Sequence, residues 1–139
     1  MQANPLIDLN FGDSIPALQV PPISRTTLAL YAGASGDHNP IHIDTDFAKS
    51  AGLDDVFAHG MLSAAYVGRI VTAWAGQQRL RSLRVRFTGI THVHDAPLCT
   101  GRVSERFEEG GETRLRIELQ CVNQHNETKI TGEAVVAVY

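Results

Sequence analysis

Apolar residues follow two different periods along this chain, and the change of period falls at Gly76. Before it, Met61, Leu62, Ala64, Ala65, Val67, Ile70, Val71, Ala73 and Trp74 make residues 60–75 apolar nearly all round. That pattern predicts a helix from Gly60 to about Ala75, stopped by Gly76 and surrounded by protein. Met61, Tyr66 and Trp74 are read as core packing. Beyond Gly76 the apolar positions fall on alternate residues: Leu83/Val85/Phe87, Leu115/Ile117/Leu119/Cys121 and Ile130/Ala134/Val136/Val138. A period of two predicts strands with one buried face. Gly110-Gly111 and the polar run 123–127 separate the later strands, so consecutive antiparallel hairpins are expected.

Upstream, three prolines (Pro16, Pro21 and Pro22) keep residues 14–23 extended. Ser24 fits the N-cap of a helix running through Leu28, Leu30 and Tyr31 to the region 33–36. Asp44 fits the cap of one or two turns over 45–51, with Gly52 as their stop. A central apolar helix followed by an antiparallel sheet is an α+β arrangement, the sheet wrapped against the helix.

The 139 residues contain no linker, repeat or low-complexity tract, so one domain over 1–139 is expected. A net charge of -3 without a basic block disfavours a nucleic-acid partner. The N-terminus shows no basic region followed by an apolar core, and Arg69 interrupts the apolar stretch 61–75, so neither a secretory leader nor a membrane span is expected. Cys99 and Cys121 lie in strand-like segments without CxxC spacing and are read as reduced, structural thiols of a cytoplasmic protein.

The chemistry concentrates in Ser35-Gly36-Asp37-His38-Asn39-Pro40-Ile41-His42. Gly36 permits unusual dihedrals and Pro40 locks φ, which puts Asp37 and His42 on a rigid turn rather than a helix. A carboxylate and an imidazole around such a turn can converge, and imidazole titrates where proton transfer runs both ways. Further on, Ala58-His59-Gly60-Met61 leads into the long helix, whose first N–H groups lack intrahelical partners and can hold a developing oxyanion. His59 either orients this site or caps the helix. Pro40 breaks the helical spacing of His38 and His42, and His92 with His94 lack a third ligand, so no metal is expected. His125 lies in a polar turn without a role, and residues 33–36 lack a P-loop lysine.

Residues 31–48 resemble the signature of the MaoC-like, or hydratase-2, family. The resemblance rests on aromatic Tyr31, then Ser35-Gly36-Asp37-x-Asn39-Pro40-Ile41-His42, then five residues to small Ala48, with His59-Gly60-Met61 before a long helix. It implies a hot-dog fold and reversible hydration of trans-2-enoyl thioesters to (3R)-3-hydroxyacyl thioesters. Asp37 and His42 match the catalytic pair, Asn39 the residue ordering the turn, and Gly60 the backbone donor to the thioester carbonyl. The substrate implied is an acyl-CoA or acyl-carrier-protein thioester, without cofactor, acted on by an edge-to-edge homodimer; a heterodimer is the variant.

Ala34 departs from the family's larger aliphatic residue, and residues 89–95 replace its usual loop, leaving substrate contacts there open. Arg84 and Arg86 share the face opposite Leu83, Val85 and Phe87 and, with His59, are candidate substrate contacts. Small Ala64, Ala65 and Gly68 are candidates to leave room for an acyl tail. The rival activities are thioester hydrolysis on the same fold and a subunit of a heteromeric dehydratase that needs a partner.

Overall fold

Local signals set the element boundaries. In the computed structural model, which describes Leu6 and residues 8–139, β1 (Ser14–Gln19) opens the fold. Residues 1–5, part of the start in which no leader was read, lie outside the described residues. Ser24 Oγ accepts the Thr27 N–H and caps α1 (Arg25–Ser35), which closes on Gly36 in the left-handed region at φ 77°. One 3-10 turn, Pro40–His42, precedes α2 (Thr45–Ser50), capped by Asp44 Oδ1 accepting the Asp46 and Phe47 N–H groups. α3 runs Gly60–Ala75 and is followed by β2 (Leu80–Phe87), β3 (Leu98–Glu109), β4 (Glu112–Val122) and β5 (Thr128–Val138).

The five strands form one sheet in the order β1-β3-β4-β5-β2, every neighbouring pair antiparallel. Gly110 and Gly111, at φ 60° and 76°, make the tight β3–β4 hairpin. α3 touches all five strands. This is the α+β hot-dog arrangement that the resemblance implied. Its core sets Val67, Val71 and Ala75 of α3 against Val103, Leu115, Ile117, Ile130 and Val136 of the sheet. Burying each branched side chain contributes roughly 1.5–3 kcal/mol. A second cluster, Val20, Ile23, Leu28, Ala48, Val56, Ala58 and Leu62, ties α1 and α2 to the start of α3 and so positions the site.

Two burial expectations need correction. α3 is not surrounded by protein: Met61 is 61% exposed, and Ala65, Arg69 and Ala73 continue its open row at four-residue spacing. That row points away from the sheet. β2 likewise lacks a buried apolar face, with Leu83 39% and Phe87 51% exposed, because it is an edge strand paired only to β5. Tyr66 and Trp74 do pack partly buried against the core. Cys99 and Cys121 are buried register partners across β3 and β4; hydrogen bonding to the Cys121 thiol and burial push the Cys99 thiol up. Of the small residues of α3, Ala64 is buried in the core, Ala65 faces outward, and Gly68 abuts the Leu83 side chain. None of the described helices is long and apolar enough to cross a membrane.

Candidate active site

The site begins where α1 stops. The left-handed turn at Gly36 throws Asp37 off the helix axis, and two side-chain turns then organise the backbone. Asp37 Oδ1 accepts the Asn39 N–H at 3.2 Å, and Asn39 Oδ1 accepts the Ile41 N–H at 3.1 Å, capping the 3-10 turn. Asn39, the position that the resemblance matched to a turn-ordering residue, thus caps the 3-10 turn. Where a rigid turn without helix was expected, the turn is one round of 3-10 helix, which His42 ends. The turn leaves Asp37 exposed and His42 buried at 8% exposure.

Carbonyl partners fix the ring tautomers, because a carbonyl oxygen only accepts. His42 Nδ1–H donates to the Phe57 carbonyl at 2.7 Å, so Nε2 of the neutral ring carries the lone pair available for proton transfer. His59 Nε2–H donates to the Asp37 carbonyl at 3.1 Å. The His42 and His59 rings stack with centroids 4.0 Å apart and planes 28° from parallel, and Tyr31 meets His59 edge-on at 4.8 Å. His59 makes no side-chain cap to α3; its ring bonds the Asp37 backbone instead. Burial pushes its imidazole below the ordinary value, with the hydrogen bond to the Asp37 carbonyl opposing that shift.

Ligand-type atoms of Asp37, His42 and His59 lie within 4.8 Å of one another. A metal bound by two imidazoles must lie close to both ring planes, about 2 Å from each nitrogen. Planes stacked at 4.0 Å and 28° meet well beyond that reach, so the cluster does not fit one ion held by both rings.

α3 starts at Gly60 with no acidic residue in its first turn. Phe57, Ala58, Gly60, Ser63, Phe87 and Lys129 help to line a cavity of about 160 Å³ there. Phe87 lies against Gly60, while Arg84 and Arg86 stand exposed along the same edge strand. His38, His92, His94 and His125 are all exposed.

The loop over residues 89–95 is pinned to this region. The Ala58 N–H donates to the Thr91 carbonyl at 2.8 Å, and Asp95 Oδ2 accepts the His92 N–H at 2.9 Å. Asp95 is buried with Lys129, Nζ to Oδ2 3.8 Å, and Asn123 Nδ2 donates to its other oxygen at 3.3 Å. Sequence reasoning missed Phe57, whose part is played by a backbone carbonyl with no side-chain signal. It also missed the Asp95–Lys129–Asn123 network, which joins positions remote in sequence.

The MaoC-like domain family matches residues 11–138. The chain is 28% identical to a mitochondrial 3-hydroxyacyl-[acyl-carrier-protein] dehydratase of Arabidopsis thaliana, over 91% of this chain and 75% of that one. It is 29% identical to the fatty acid synthase subunit beta of Saccharomyces cerevisiae over 92% of its length, which spans only 6% of that protein. Among solved structures, the unliganded R-hydratase PhaJ1 from Pseudomonas aeruginosa matches with a TM-score of 0.84 at 27% identity, covering 96% of this chain and 84% of the other.

Proposed function

The chain belongs to the MaoC-like dehydratase family, and from that premise we propose that it adds water reversibly to trans-2-enoyl thioesters, giving (3R)-3-hydroxyacyl thioesters. The observation that carries this reading is the meeting of Asp37 with a His42 whose Nε2 is left free by the Phe57 carbonyl. A water held between the two loses a proton as its oxygen attacks the β-carbon. Negative charge moves to the thioester oxygen, where the Gly60 N–H at the start of α3 stabilises it. A proton returned to the α-carbon from the same side completes syn addition, and dehydration retraces these steps. Water adds across the double bond with no net oxidation or reduction, so the reaction requires no redox cofactor. A positioned acid/base group supplies ~10²–10⁴-fold and one oxyanion donor ~10²–10³-fold.

Exposed Arg84 and Arg86 suit the phosphates of coenzyme A or of a carrier-protein arm. The open β2 edge and the exposed Leu83 and Phe87 suit edge-to-edge pairing with a second copy.

The test incubates the purified chain with crotonyl-CoA and with a longer trans-2-enoyl-CoA, following enoyl absorbance and free thiol together. Enoyl loss without thiol release supports the hydratase. Thiol release identifies a thioesterase, and inertness toward both substrates contradicts a self-sufficient hydratase.

A further inference from the structure

We propose that His59 is a positioning residue of this reaction: a permanently neutral imidazole that fixes Asp37 through its carbonyl and gives His42 an uncharged ring face. The proposal rests on the hydratase reading of Asp37 and His42. A histidine that merely capped α3 would spend its side chain on the helix N-terminus, and this one does not. It is only 2% exposed, and the one hydrogen bond of its ring among the described residues runs to the backbone of the residue carrying the reacting carboxylate.

The tautomer follows from that bond. With Nε2–H donating to the Asp37 carbonyl, Nδ1 of the neutral ring is a bare lone pair, buried with no hydrogen-bond partner among the described residues. Protonation would place an N–H donor at Nδ1 with nothing to accept it, which is costly inside a protein. The groups facing the ring are His42 on the 3-10 turn, Asp37 before it and Tyr31 on α1. Desolvation holds His59 below the ordinary histidine value; charge on His42 acts in the same direction, while the hydrogen bond to the Asp37 carbonyl and the charge of Asp37 oppose it and are outweighed.

Neutrality has a consequence for the neighbour. When His42 takes a proton from water it becomes a cation stacked 4.0 Å from the His59 ring. A neutral aromatic face accommodates that cation, whereas a second imidazolium would repel it. One side chain thus holds the two reacting residues at a fixed separation and keeps the charged form of one of them accessible.

The test begins with the unaltered full chain: imidazole ¹⁵N resonances followed from pH 5 to 9. His59 is expected to remain a neutral Nε2–H tautomer throughout; uptake of a proton by His59 in this range overturns the proposal. Two variants then separate its contacts. His59→Phe keeps a ring and loses the donor, so kcat falls ~10–10²-fold through misplaced Asp37, with KM little changed. His59→Gln keeps an N–H able to reach the Asp37 carbonyl and loses the ring, so the acid limb of the kcat/KM profile moves to lower pH. Folded variants with the kcat, KM and pH profile of the parent overturn the proposal. Should either variant fail to fold, the titration of the parent chain decides. Absence of hydration by the parent overturns the hydratase reading, and the ¹⁵N titration still determines separately whether His59 is locked neutral.

Discussion

The Phe87 ring occupies the space where Gly60 would carry a side chain: a Cβ added at Gly60 would lie 3.2 Å from Phe87 Cε1. Phe87 is half-exposed on an edge strand, so its ring can yield by a few tenths of an ångström without unfolding the chain. Gly60→Ala is therefore expected to fold while displacing the first N–H of α3, lowering kcat/KM by ~10–10²-fold. In a Phe87→Leu background the same substitution should do less damage, and a double-mutant cycle on kcat/KM measures the coupling. Equal losses in both backgrounds would separate Phe87 from Gly60.

Asp37→Asn retains an oxygen to accept the Asn39 N–H, and His42→Asn retains an N–H suited to the Phe57 carbonyl. Both variants should keep the thermal midpoint close to that of the parent. Each should lose ~10²–10⁴-fold in kcat for crotonyl-CoA hydration. Undiminished turnover in either would remove that residue from the chemistry.

Lys129 and Asp95 form a buried ion pair. Lys129→Met leaves the carboxylate without its cation and should destabilise the chain by about 3 kcal/mol, measured by urea unfolding. Asp95→Asn in addition removes the stranded charge, so the double variant should recover part of that loss. Additive losses would show that the ion pair contributes nothing beyond packing.

Stability should fall on acidification in two ranges. Below pH 6.5 the unfolded chain protonates His59 while the native chain, with that imidazole held down by burial, resists. Lower down, hydrogen bonds from Arg81 and then Arg114 hold Glu112 down to about 2 from an ordinary 4.5. Its contribution is full above 4.5 and is lost as the pH falls toward 2. The gap in thermal midpoint between the parent and Glu112→Gln should therefore narrow from pH 7 to pH 3; a constant gap would contradict this.

What the sequence made legible was set by local rules. α3 occupies Gly60–Ala75 as its apolar run and following glycine imply, and Ser24 and Asp44 cap where their side chains can reach the next N–H groups. Asp37 and His42 converge because Gly36 and Pro40 dictate the turn between them, information contained in eight residues. Exposure of Met61, Leu83 and Phe87 was not legible: whether an apolar residue is covered depends on which strand is the sheet edge and which helix row faces outward. The His42–His59 stack joins the 3-10 turn to the residue before α3, and the Asp95–Lys129 pair joins the β2–β3 loop to β5, so neither is contained in a local pattern.

Asp37, His42, the Phe57 carbonyl, His59 and Gly60 all lie on the single stretch 35–60, with the strands after α3 serving as its bed. Recombination or insertion outside that stretch would carry these candidate groups together as one coding unit. Such contiguity makes a unit of this kind portable between short chains and very long ones, where only the surrounding polypeptide needs to change.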